Sequence, residues 1–321
     1  MEASGTHLQC IAVDGGGGGQ RFRARLSDGE IFESEYPSFT LGEGSLTDNY
    51  CDRFRTFLRD AQVSHSGFTQ IARIVMTVAA LPGSQQERQE LMDAILQVTG
   101  ADELWLTSDI TAAHFGTIKG DGLIITIGTG IGALATGKYR TQLHELTGDS
   151  YLIGDEGSAY WIGKMGLNRA LRHKDGRGGQ TLLLTRACEF FETDSDSLAD
   201  YVTALERPVH RIAQFAPVVT ALAAESDEVA DSIIELAVSE FLDIVRAARG
   251  VLGADERFKI LFSGGAIPKE GILFQRTQQR LQELGLTCDH SDIKNIDGAF
   301  ALAQEKDPGI YADITDISYR K

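Results

Sequence analysis

Cysteine is scarce in this chain. The four thiols, Cys10, Cys51, Cys188 and Cys288, stand far apart along 321 residues, and none belongs to a C-x-x-C pair. Zinc and iron–sulfur sites draw on close cysteine pairs, so neither is indicated. Isolated thiols of this kind read as buried structural residues in a reducing cytoplasm. Positive charge is also short. The 30 Lys and Arg face 46 Asp and Glu, a formal charge of −16. Affinity for a phosphate backbone is carried by Lys and Arg, so nucleic acid is not an expected partner; the charge serves solubility. Long apolar runs are missing as well. No stretch approaches the ~18 residues needed to span a bilayer, and Met1–Gln9 lacks the basic start and apolar core of a signal peptide. The expectation is a cytoplasmic protein with no membrane partner.

What is present is an ordinary globular composition, 42% hydrophobic and 24% charged, in a chain too long for one hydrophobic core. Two domains follow. Leu8–Val13 reads as a strand that enters Asp14 and five glycines, Gly15–Gly19. Arg21–Leu26 alternates charged and apolar residues, so it reads as the returning strand of a hairpin, with Ile31–Ser34 a further strand. Helical spacing marks Asp48–Ala61 and Ser84–Val98, the latter capped by Ser84. Ile71–Ala80 and Leu104–Thr107 read as buried strands; Asp109 follows the second, ahead of a short helix at Ala112–Gly116. The opening pattern then returns, with a strand at Gly122–Ile127, the loop Gly128-Thr129-Gly130, and a partner strand at Ala133–Thr136. This is an internal echo of one architecture. Helices are expected over Ser158–Arg172, over most of Leu198–Gly250 with breaks at Pro208 and Pro217, and over Glu270–Leu284. Lys259–Ser263 reads as a strand that runs into Gly264-Gly265. A break in pattern at Lys119-Gly120-Asp121-Gly122 puts the boundary near 117, giving domains 1–117 and 118–297. A C-terminal helix at about 298–321 completes the first.

Three apolar strands therefore end in glycine-bearing loops. Phosphate needs close backbone approach, because free N–H groups donate to it and a Cβ would stand in the way. One such loop on its own also serves as a plain turn. Three loops, the first led by an aspartate, point to a nucleotide. Asp14 suits Mg²⁺, which favours carboxylates and keeps several waters; it also suits an Asx turn. The loops are not a Walker loop, since no Gly-Lys-Ser/Thr follows Gly19. They are not a dinucleotide fingerprint, which needs a helix where Arg21–Leu26 reads as strand. Asp109 taken alone fits a helix N-cap, and Asp155-Glu156 taken alone fits an acidic helix entry.

On these residues the chain resembles the BadF/BadG/BcrA/BcrD ATPase family, in its N-acetylglucosamine kinase and glucosamine kinase branch. The carrying stretches are Val13-Asp14-Gly15-Gly16-Gly17, Thr107-Ser108-Asp109 with Ala112-Ala113, and Ile127-Gly128-Thr129-Gly130. The run from Gly154 to Gly163 (Gly-Asp-Glu-Gly-Ser-Ala-Tyr-Trp-Ile-Gly) is the most specific. Asp175-Gly176-Arg177-Gly178 and Ser263-Gly264-Gly265 extend the similarity over almost the whole chain.

The resemblance implies an α/β, two-domain actin-like ATPase (ribonuclease H-like) fold. Each domain has a mixed sheet flanked by helices, with ATP in the interdomain cleft. It implies an ATP- and Mg²⁺-dependent kinase of an amino sugar, N-acetylglucosamine first and glucosamine or another small sugar next, and it admits a homodimer. Asp14 then faces Mg²⁺ through water. Gly15, Gly16, Gly17, Gln20, Gly128, Thr129, Gly130, Gly264 and Gly265 attend ATP. Asp109 is the general base, and Thr129, Asp155 and Glu156 join it at the sugar. Phosphoryl transfer rests on positioning and charge neutralisation, a carboxylate accepts the hydroxyl proton, and adjacent carboxylates accept hydrogen bonds from a polyol. Non-kinase relatives of the family activate dehydratases through a cysteine-held cluster, for which these four cysteines are wrongly placed; a nucleotide-binding regulator without turnover is the remaining alternative. The chain also departs from the pattern. Gly18 and Gln20 replace two hydroxyl residues of the first loop, and Ile131 replaces the serine of the second. Gly148-Asp149-Ser150 stands where the family has Gly-Trp-Gly, and Pro37-Ser38-Phe39-Thr40 lacks the asparagine of the early sugar loop.

Overall fold

The computed structural model describes residues 9–16, 19–39, 44–65, 67–118, 120–137, 141–253 and 258–320. The chain divides into two compact units, Met1–Lys119 with Ile293–Lys321, and Gly120–Asp292. Each is a mixed sheet flanked by helices.

The first unit is built on β1 (Cys10–Gly16), β2 (Gly19–Arg25), β3 (Ile31–Tyr36), β4 (Arg73–Val78), β5 (Glu103–Ser108) and β11 (Asp316–Tyr319). They lie in the order β11-β5-β4-β1-β2-β3. β1, β4 and β5 are parallel, and β1–β2–β3 is an antiparallel meander. The apolar runs of β1 and β4 are buried almost throughout, as strands covered on both faces must be. Strand β3, at the edge, alternates exposed and half-buried residues. On one face α1 (Leu46–Ser64) and α2 (Gln85–Thr99) pack Phe54, Phe57 and Ile95 against Phe22 and Ile74. Ser84 caps α2 in a reciprocal capping box with Glu87. On the other face lie α3 (Asp109–Thr117) and α11 (Asn295–Leu302).

The segment expected as one helix over about 298–321 is helical only to Leu302. Pro308-Gly309 interrupts it, a 3-10 turn spans Gly309–Ile314, and β11 then pairs antiparallel with β5. Proline cannot continue a helix, and the β-branched and aromatic residues Thr315, Ile317 and Tyr319 favour a strand.

The second unit carries β6 (Gly122–Ile127), β7 (Ile131–Gly137), β8 (Gln142–Leu146), β9 (Lys259–Ser263) and β10 (Asp289–Ser291) in the order β10-β9-β6-β7-β8. Its helices are α4 (Ala159–Lys174), α5 (Leu183–Phe191), α6 (Leu198–Thr203), α7 (Pro208–Ala213), α8 (Ala216–Ala224), α9 (Glu228–Leu252) and α10 (Ile272–Glu283). Pro208 and Pro217 both sit in the first turn of a helix, where the missing N–H costs nothing. Asp227 caps α9 and accepts from Val229 and Ala230. Strands β8 and β10 and helix α5 had no sequence signal. β10 is three polar residues long, and α5 takes its order from packing Phe191 onto Phe215.

One buried cation ties the returning segment to the first sheet. Arg73 pairs with Glu103, lies 3.8 Å over the Trp105 ring, and donates to the carbonyls of Glu305 and Lys306. Removing one partner of a buried pair strands the other in a dry site. Arg73→Ala should therefore lower unfolding free energy by about 3–5 kcal/mol, read from urea midpoints at constant m. A loss below about 1 kcal/mol, the range of exposed ion pairs, would mean the clamp is ornamental.

Candidate functional site

In the first unit the register places the candidate residues at one end of the parallel strands. Asp14 pairs across to Thr77, and Thr77 to Thr107. Asp109 follows two residues beyond Thr107, so both carboxylates emerge at the carboxyl ends of their strands, where open α/β sheets bind ligands. Asp14 is buried and bonded to Arg21 (3.3 Å) and Asn295. Burial raises its pKa, and the two partners offset that only in part. Asp109 is the first residue of α3; Ser108 is the N-cap and makes no side-chain cap bond. Its carboxyl is closely surrounded by protein, and desolvation followed by the charge of Asp14 raises its pKa to about 6, against the backbone N–H of Ile110. Two acids that feel each other, one of them poised near neutrality, make a candidate site for proton transfer.

Gly15 and Gly16 lie opposite Gln20 and Gly19 in the β1–β2 hairpin. A Cβ at Gly15 would stand 2.4 Å from the Tyr50 hydroxyl, so the loop passes close over α1. Gln20 is buried, and its Oε1 has no hydrogen-bond partner among the described residues. Gly17, with Gly18 and Thr40, lies outside the described residues.

In the second unit Gly128-Thr129-Gly130 closes the β6–β7 hairpin. Ala159 and Tyr160, at the start of α4, donate to the carbonyls of Gly128 and Thr129 at 3.0 and 3.1 Å. Thr129 is exposed. Asp155 adopts a left-handed backbone, φ 61°, which is costly for a residue with a Cβ and persists where surroundings enforce it. The result is a buried carboxylate that accepts from the Ile131 N–H and lies close against Gly130. Burial, then the charges of Glu156 and Asp149, raise its pKa. Glu156 is half-buried and is felt also by Glu240 of α9. Gly264, at φ 105°, packs its Cα against the strand end; a Cβ there would stand 2.2 Å from the carbonyl oxygen of Ile127, so only glycine fits.

A cavity of about 310 Å³ opens between two of these loops. Gly128 and Thr129 form one wall and Gly265 and Ala266 another, with Ala216 and Pro217 of α8 behind. Most of its wall is apolar; His210, Gln214 and Thr220 are its polar side chains besides Thr129. These residues had only a helix-and-proline reading in the sequence, because nothing in the spacing of 208–220 separates a cavity wall from a core helix.

Among the described residues no three His, Cys, Asp or Glu gather as a metal site, and the four cysteines are free and apart. Asp14 is a buried carboxylate whose raised pKa Arg21 and Asn295 offset only in part, the kind of single oxygen donor that Mg²⁺ could use together with phosphate oxygens and water. No described helix is long and apolar enough to cross a membrane.

Comparison with known proteins fits this geometry. The chain is 28% identical over 182 residues to an N-acetyl-D-glucosamine kinase of Dictyostelium discoideum, covering 53% of this chain and 56% of that protein. It is 26% identical over 185 residues to an N-acetylmuramic acid/N-acetylglucosamine kinase of Clostridium acetobutylicum, covering 57% and 60%. The matches thus span little more than half of each relative. A Chromobacterium violaceum structure assigned as an N-acetylglucosamine kinase superposes with a TM-score of 0.69 over 93% of this chain and 99% of that one, at 21% identity, and establishes the shared fold. The family model described as BadF/BadG/BcrA/BcrD ATPase matches residues 11–283, and the chain belongs to that family.

Proposed function

We propose that the chain transfers the terminal phosphoryl group of ATP to a hydroxyl of an amino sugar, with the 6-hydroxyl of N-acetylglucosamine as first acceptor. The observation that carries this reading is Asp109, a carboxyl of pKa about 6 beside Asp14 at the strand ends. The kinases named among the relatives support the acceptor class. Asp109 takes the acceptor proton as the hydroxyl oxygen attacks phosphorus. Asp155 accepts hydrogen bonds from the sugar and fixes its orientation, and Glu156 and Thr129 add to this. The glycine loops offer backbone N–H groups to phosphate, and the apolar cavity of the second unit takes the base. Asp14 would hold Mg²⁺ through water, and the ion would supply neutralisation of phosphate charge.

One observation favours glucosamine as a second acceptor. Asp149 stands in the altered Gly148-Asp149-Ser150 stretch, and its charge is felt at both Asp155 and Glu145. A negative neighbour suits an ammonium. N-acetylglucosamine should therefore lead glucosamine by less than about a hundred-fold in kcat/KM, or ~2.7 kcal/mol. A larger gap, measured by coupled ADP release, would assign acetyl recognition to other residues.

Asp109→Asn should cut sugar-dependent turnover by about 10²–10⁴-fold and leave ATP binding intact. The sign on stability is opposite. A carboxyl with a raised pKa is penalised when ionised, so above pH 6 the amide should melt no lower than wild type. For wild type, kcat/KM should fall as pH drops through about 6, where Asp109 becomes protonated. Turnover within a few-fold of wild type would remove Asp109 from the role of base.

Asp155→Ala should raise the acceptor KM strongly and change the ATP KM little, because the lost hydrogen bonds belong to the acceptor. Equal rises in both constants, in a variant with native melting behaviour, would reassign Asp155 to the nucleotide or to loop geometry.

A further inference from the structure

The first unit holds a second concavity, of about 370 Å³, between the end of β3 and the start of α1. Its lining is polar where the cavity of the second unit is apolar. Ser38, Asn49 and Thr56 supply hydrogen-bond donors, and Arg53 supplies a cation. Arg53 is half-buried and lies against two rings, its Cζ 4.6 Å from the centroid of Tyr36 and 5.3 Å from that of Phe39. Its guanidinium makes one long bond, 3.4 Å to the Pro37 carbonyl, and no carboxylate pairs with it among the described residues. The pocket's one acid, Asp52, is engaged with Arg55 at 2.5 Å. In a chain with a charge of −16, an arginine with no carboxylate partner among the described residues is an unusual placement. Stacking preorganises the planar fork, which matches two oxygens of a carboxylate or phosphate at once. The pocket also adjoins the first glycine loop through one side chain. Tyr50 packs its ring 4.8 Å from Phe39 and its hydroxyl over Gly15.

We propose that this pocket binds an oxyanion through Arg53, with Ser38, Asn49 and Thr56 as supporting donors. Its place beside the glycine loop makes the oxyanion part of a small ligand of the kinase, an inference that rests on the reading above. Two sources supply such a group: a carboxylate substituent on the acceptor sugar, or a phosphate. The neutral ring of N-acetylglucosamine makes no claim on Arg53, so the pocket separates charged from uncharged ligands.

The test is calorimetric titration of the full chain without nucleotide, using N-acetylmuramic acid, inorganic phosphate and N-acetylglucosamine as separate probes. At least one charged probe should bind. Arg53→Gln should weaken that probe about ten-fold or more, as loss of a charged hydrogen-bonding partner does, and leave N-acetylglucosamine unchanged. Arg53→Lys should fall between. Because Arg53 packs on Tyr36 and Phe39, Asn49→Asp serves as a second variant; a new carboxylate in the pocket should repel the same probe. N-acetylmuramic acid alone binding identifies the acceptor substituent, and phosphate binding identifies a phosphate site. No binding of either charged probe, or equal affinities in wild type, Arg53→Gln and Asn49→Asp, overturns the proposal. Phosphorylation of N-acetylglucosamine is measured in the same preparations. Its presence without oxyanion binding sinks this inference alone, and its absence counts against the kinase reading.

Discussion

A buried carboxylate, Asp14, and a half-buried one, Asp109, at one end of a parallel sheet set the terms for the rest of the first unit. Asp14 and Asp109 both have raised pKa values, and burial is the first cause for each. Such an arrangement costs folding free energy, because an ionised acid prefers water. It survives because β1, β4 and β5 are anchored elsewhere by apolar cores and by the Arg73 clamp. Under the proposed phosphoryl transfer this cost would have a use. An acid held near pH 6 is ionised at neutral pH yet basic enough to take a proton. A cation bound at Asp14, as proposed, would relieve the repulsion between the two acids.

The two units solve one problem twice, with different side chains. In each, a hairpin with glycine at its turn has a parallel strand on its far side: β4 beside β1, and β9 beside β6. In the first unit the turn leads with an acid, Asp14. In the second it carries Thr129 and receives an acid from a distant loop, since Asp155 reaches Gly130 through a left-handed backbone. Repetition of the backbone thus leaves the chemistry free to differ.

Much of this was legible in the residues. Strand, glycine loop, strand was visible at both hairpins because glycine and apolar runs act locally. Asp14 could be singled out because it leads such a loop, whereas Asp109 and Asp155 stood out only through the family resemblance. What stayed hidden depends on contacts distant in sequence. β11 pairs with β5 across some two hundred residues of chain, and the alternation of Thr315, Ile317 and Tyr319 is too short a run to announce it. The wall of the second unit's cavity uses ordinary helix residues such as His210 and Gln214. Arg53 looked like any charged helix residue; only the fold shows that it lies against two rings with no carboxylate partner among the described residues.

The division of the chain also bears on synthesis. Residues 120–292 form a contiguous unit, whereas the first sheet lacks its β11 edge until residues 316–319 have been made. On a ribosome, where chain emerges from the N-terminus onward, the interrupting unit can complete its core while the earlier one still waits for a strand. During that interval the β5 edge, later covered by β11, offers unpaired backbone groups to other chains. Nascent-chain quality control would meet this protein at that edge.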